Sequence, residues 1–89
     1  MAVRIDYKAS VARDLRKLDE PTALRLLQRL EQALTSEGDR GGPLSGEFAG
    51  LYRLRVGDYR VIYVRTDEGY LVLRIAHRRE VYRQGRPNR

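Results

Sequence analysis

Seven arginines fall between Leu51 and Tyr82, namely Arg53, Arg55, Arg60, Arg65, Arg74, Arg78 and Arg79. Arginine presents a planar fork that matches a phosphate bidentately, and it stays charged at any accessible pH. A group of them could hold a backbone phosphate and stabilise the added negative charge of a pentacoordinate transition state without a metal. The same fixed charge makes arginine a poor proton shuttle, so a base must come from elsewhere. Tyr82 is the best candidate, a phenol of ordinary pKa about 10 that neighbouring arginines would lower by favouring phenolate. The substrate would then have to bring its own nucleophile. RNA does so through the 2′-OH, which DNA lacks. His77, next to Arg78, could move protons at the edge of a phosphate site. Each feature also has an ordinary explanation: paired arginines in a strand are more often a solvated face, and a tyrosine after a strand is more often filler. Residue types and spacing alone reach a small basic α+β domain that binds nucleic acid.

The charge distribution supports that reading. Residues 1–50 carry eight Lys/Arg and eight Asp/Glu, while residues 51–89 carry ten Arg and four acids, which is the whole net charge of +6. Solubility alone does not explain such segregation, whereas one face built for a polyanion does.

The elements that must position these residues follow from hydrophobic patterning. Val3 to Tyr7 alternates at period two, predicting a first strand with Val3, Ile5 and Tyr7 inward. Ser10 is a plausible N-cap for a short helix carrying Val11, Leu15 and Leu18 on one side. Asp19-Glu20-Pro21 breaks that helix and starts a second, with Pro in its first turn. From Pro21 to Ser36, Ala23, Leu27, Leu30 and Leu34 form an apolar stripe widened by Leu24, with Arg25, Gln28, Arg29 and Gln32 facing out. Leu26 lies off the stripe and could meet another chain. The two helices make an αα-hairpin against a sheet. Gly38 to Gly50 reads as a connector, since its glycine spacing fits no P-loop. Strands are expected from about Phe48 to Val56, Tyr59 to Arg65 and Tyr70 to Ala76, forming an antiparallel meander. Gly57-Asp58 between the first two suits a type II′ turn. Arg53 and Arg55 then share one face while Tyr52, Leu54 and Val56 share the other. The middle strand is apolar on both faces. His77 to Tyr82 is expected to leave the sheet in about one helical turn, and Arg83 to Arg89 to form a mobile basic tail.

Several classes are excluded. Without cysteine there are no disulfides and no thiolate metal site, and a reducing, cytoplasmic setting is expected. The lone His77 lacks the carboxylate partners a zinc site would need. No run approaches the roughly 20 apolar residues of a membrane span. Neither a metal nor any other cofactor is expected.

The block P-L-S-G-E-F-A-G-L-Y-R-L-R-V-G-D-Y-R-V-I-Y, followed by I-A-H-R-R-E-V-Y, resembles the RelE family of bacterial and archaeal toxins within the RelE/ParE superfamily. The resemblance implies a single toxin domain over residues 1–89, with strand, two helices and three strands in the order of a microbial-ribonuclease-like RelE fold. It implies a ribosome-dependent endoribonuclease that cuts mRNA in the A site and inhibits translation. By that resemblance Tyr82 would help activate the 2′-OH, Arg60 would stabilise the phosphorane and Arg78 would assist the leaving 5′-oxygen. Arg53 and Arg55 would hold the backbone, with Arg79 and His77 as further RNA contacts. Some members carry lysines at the positions of Arg53 and Arg55, so purely electrostatic roles are expected of these two here. A RelB-like antitoxin is implied as partner, an acidic amphipathic chain covering the basic face, with DNA contacted only through the antitoxin. The alternative is a ParE-like toxin of the same fold that inhibits DNA gyrase without RNA chemistry; a third is a degenerate member that keeps only binding.

Overall fold

The computed structural model describes residues 3–35 and 42–77. The elements run β1 (Arg4–Tyr7), α1 (Ala9–Arg16), α2 (Glu20–Thr35), β2 (Gly42–Pro43), a 3-10 turn (Gly46–Phe48), β3 (Tyr52–Val56), β4 (Tyr59–Arg65) and β5 (Gly69–His77). The five strands form one sheet in the order β1-β5-β4-β3-β2. β1 is parallel to β5, and every other pair is antiparallel. This is the α+β architecture expected, with one short strand, β2, added at one edge. Two residues, one of them a proline without an N–H, are too short to show a period, which hid β2 inside the expected connector.

One sheet face carries the core. Leu54, Val56, Val61, Tyr63, Val72 and Ile75 point inward onto Val11 of α1 and Leu26, Leu30 and Leu34 of α2. The buried face of α2 is therefore rotated from the expected one, with Leu26 only 4% exposed and Leu24 55% exposed. At about 100° per residue Leu24 and Leu26 flank the Ala23–Leu27 direction on opposite sides, about 160° apart, so the pattern of these four residues alone does not choose which flank is buried. Leu26 is core and is not a contact for another chain. Val3 is likewise exposed rather than inward, while Ile5 and Tyr7 pack on the core as expected.

α1 completes the sheet where β1 stops. β1 pairs with β5 only as far as Val72, and the Lys8 N–H donates to the Val72 carbonyl. Beyond that point the edge of β5 is satisfied by α1 side chains. The Ser10 hydroxyl donates to the Leu73 carbonyl at 2.6 Å, and the Ile75 N–H donates to Asp14 Oδ2 at 2.8 Å. Arg74 also donates to Asp14, from Nε at 2.9 Å and Nη2 at 3.2 Å. Ser10 is thus not the cap of α1, whose first residue is Ala9; its hydroxyl serves the sheet instead. α2 does start as expected, with Asp19 accepting from the Thr22 N–H and hydroxyl.

Two glycines set the sheet's geometry. Gly57 has φ +61° and Asp58 a negative φ, the type II′ arrangement that turns β3 into β4 in two residues. A Cβ on Gly69 would fall 2.0 Å from the Arg4 carbonyl oxygen, so only glycine lets β1 dock at the start of β5. β3 itself begins at Tyr52, four residues later than expected, because Gly46–Phe48 form the 3-10 turn and Gly50 reverses the chain at φ +95°.

Candidate functional site

Strand alternation separates the arginines. The tight turn makes Val56 and Tyr59 the closing pair, so Arg55 and Arg60 are the next partners across β3 and β4. In a two-residue hairpin that next pair lacks mutual backbone hydrogen bonds and brings its side chains closest. Like charges opposed in this way destabilise a sheet. Arg53 lies two residues along β3 on the same face, opposite Ile62. The small Ala76 of β5 sits on the other side of Arg60. Together Arg53, Arg55 and Arg60 line a cleft of ≈ 360 Å³ with Gly42 and Leu54, and no carboxylate lines it among the described residues. Arg53 and Arg55 are exposed and Arg60 is half-buried. Arg55 Nε makes one long contact of 3.4 Å to the Gly57 carbonyl, too long to neutralise or fix it firmly.

The remaining described arginines of β4 and β5, Arg65 and Arg74, are drawn away from the cleft. The Arg65 guanidinium lies 4.2 Å from the Tyr52 ring centroid, and Tyr52 stacks in turn on Tyr63 with centroids 5.7 Å apart. Arg74 is held by Asp14, whose side chain is only 6% exposed. His77 ends β5 instead of leaving the sheet, opposite Tyr59. The two rings meet edge to face with centroids 5.5 Å apart. Tyr59 shares its strand parity with the buried Val61 and Tyr63, so His77 is placed on the helix side and not among Arg53, Arg55 and Arg60. Arg78, Arg79 and Tyr82, and the tail from Arg83 to Arg89, lie outside the described residues.

The cleft can therefore bind an anion and stabilise growing negative charge, while its guanidinium lining repels a cation and, among the described residues, supplies no proton carrier. The residue that the sequence reading passed over is Asp14. It falls three residues after Val11 and one before Leu15, inside the apolar stripe of α1, and a carboxylate in such a stripe signals a buried partner.

A family model described as "ParE toxin of type II toxin-antitoxin system, parDE" matches residues 5–82. The chain belongs to the RelE/ParE family of toxins. It is a toxin of a type II toxin–antitoxin system. Toxin RelG of Mycobacterium tuberculosis is 32% identical over 87 residues, covering 94% of this chain and 100% of the relative. Toxin RelE of the same organism is 37% identical over 70 residues, covering 78% of this chain and 71% of the relative. Among solved structures, the RelBE2 toxin–antitoxin complex of M. tuberculosis superposes with a TM-score of 0.76 at 30% identity, covering 86% of this chain and 99% of that one. The RelE–RelB complex of Pyrococcus horikoshii follows the same fold with a TM-score of 0.65 at 27% identity, covering 88% and 97%. In both structures the RelE-like toxin is in complex with an antitoxin. Among the described residues of this toxin no helix is long and apolar enough to cross a membrane.

Proposed function

We propose that this toxin is a ribosome-dependent endoribonuclease that cuts mRNA in the A site without a metal, acting in the cytoplasm and held inactive by a RelB-like antitoxin. The observation that carries the reading is the opposition of Arg55 and Arg60 at the closest pair of the β3–β4 hairpin, with Arg53 beside them on the same face of the cleft. A sheet that accepts such repulsion gains from it only when an anion occupies the site.

In the proposed reaction the Tyr82 phenolate takes the proton of the 2′-OH. The 2′-oxygen attacks the adjacent phosphorus and gives a phosphorane, whose charge Arg60 stabilises. The bond from phosphorus to the 5′-oxygen then breaks, with Arg78 stabilising the charge on the leaving oxygen, which takes its proton from water. The products are a 2′,3′-cyclic phosphate and a 5′-hydroxyl. Arg53 and Arg55 hold flanking phosphates, and Arg79 and His77 contact RNA outside the reacting atoms. The antitoxin would cover the basic face, and any DNA contact would be made through it.

The model that names ParE favours one second reading, inhibition of DNA gyrase with the arginines as a binding surface. Primer extension on programmed ribosomes separates the two. A-site cuts by the wild-type protein, lowered by about 10²–10³ in Arg60→Ala and also lowered in Tyr82→Phe, support the ribonuclease. Intact mRNA together with inhibited supercoiling by gyrase would support the second reading.

A further inference from the structure

The arginine cleft does not end at the hairpin. Arg55 lines it and also lines a second depression, of ≈ 240 Å³, whose other wall includes Arg29 and Gln32 of α2. Arg29 in turn lines a third depression, of ≈ 150 Å³, reaching Arg25 and the hairpin tip at Gly57 and Asp58. Val56 and Gly57 line both the second and the third depression, so the three join around the tip of the β3–β4 hairpin. Arg25 and Arg29 are four residues apart and both exposed, so one helical turn separates their stems by about 6 Å along the axis. Two carboxylates border this path, one at the hairpin tip and one just before α2. Asp58 lines the third depression. Asp19 lies below the ordinary carboxylate range, chiefly because the Thr22 hydroxyl donates to it and in smaller part because of Arg25.

We propose that Arg55, Arg29 and Arg25 form a second phosphate track, which carries single-stranded RNA from the cleft around the hairpin and onto α2. The inference rests on the ribonuclease reading and adds to it a binding path outside the reacting atoms. Guanidinium groups along a groove follow a nucleic-acid backbone without reading sequence. The Asp19 carboxylate, close enough to Arg25 to interact with its charge, sets the α2 end of the track, because it would repel a phosphate placed beyond Arg25. α1, which packs on β5 rather than β3, carries Arg13 and Arg16 and lies off this path.

The test measures binding of 2′-O-methyl oligouridylates, which lack the attacking hydroxyl, by fluorescence anisotropy of the antitoxin-free toxin across a salt series. A short probe of about 4 nucleotides and a long one of about 16 span the usual site sizes. Each phosphate neutralised on a single strand steepens the log–log salt slope by about 0.7. The long probe is expected to give a slope steeper by about 1.4 than the short one, and Arg25→Gln/Arg29→Gln to remove that difference while leaving the short probe unchanged. Arg13→Gln/Arg16→Gln, which removes the same charge away from the track, is expected to keep the difference. Equal slopes for the two wild-type probes, or an unchanged slope in the α2 double variant, would overturn the track alone. Failure of both probes to bind would overturn the track, and primer extension on programmed ribosomes, which reads A-site cleavage directly, tells that failure apart from failure of the ribonuclease reading on which the track rests.

Discussion

Replacing Asp14 with alanine should be the most damaging polar substitution in the described fold. Its carboxylate accepts from the buried Ile75 N–H at 2.8 Å and from Arg74 at 2.9 and 3.2 Å. Stranding a buried N–H costs about 1–3 kcal/mol. The lost ion pair adds about 0.5–1 kcal/mol, discounted because the Arg74 side chain is 39% exposed and rehydrates. The sum is about 2–4 kcal/mol, which in an 89-residue chain lowers the melting midpoint by about 10 °C or more. Asp14→Asn keeps an acceptor for Ile75 and should cost about 1–2 kcal/mol. Arg74→Ala added to Asp14→Ala should cost little more, because both remove the same pair. Urea denaturation monitored by circular dichroism gives all four values. An Asp14→Ala variant within about 0.5 kcal/mol of wild type would refute the view that α1 side chains complete the edge of β5.

Three further outcomes follow from the same geometry. Gly69→Ala should cost about 3 kcal/mol or fail to fold, because its Cβ meets the Arg4 backbone; a thermal melt near that of wild type would show that β1 docks differently. Gly57→Ala should cost about 1–2 kcal/mol through its positive φ, read as a shifted denaturation midpoint at an unchanged m-value. Burial, and then the 2.6 Å hydrogen bond to Glu31, raise the Tyr7 phenol well above its ordinary pKa. A raised folded pKa gives stability that is fully present below the unfolded value of about 10 and is lost as pH rises beyond it. The stability gap between wild type and Tyr7→Phe should therefore shrink above that pH in alkaline denaturation series, and a gap that widens would contradict the sign.

The meander was legible because β4 and the hairpin turn carry strong local signals: β-branched and aromatic alternation around a Gly-Asp pair. Both helices were legible from their periodicity, the second also from Asp19 at its start, and the shared face of Arg53 and Arg55 followed from alternation alone. What eluded the sequence depended on partners distant along the chain. Leu24 and Leu26 compete for one face of α2, and only the position of β3 and β4 decides between them. Ser10 reads as a cap by local rules, yet an open strand edge 63 residues away takes its hydroxyl. Register decides the site in the same way. The spacing of Arg55 and Arg60 says nothing of their meeting until the two-residue turn aligns them, and the register that pairs Arg60 with Ala76 also puts His77 beside Tyr59 on the helix side.

The most direct test is a paired measurement on Arg55→Thr: the denaturation midpoint, and the rate of A-site mRNA cleavage on programmed ribosomes. Threonine suits a strand and removes the repulsion against Arg60, so stability should rise by about 0.2–1 kcal/mol while cleavage falls at least tenfold. Loss of stability, or cleavage at the wild-type rate, would contradict the claim that the opposed arginines are retained for phosphate chemistry.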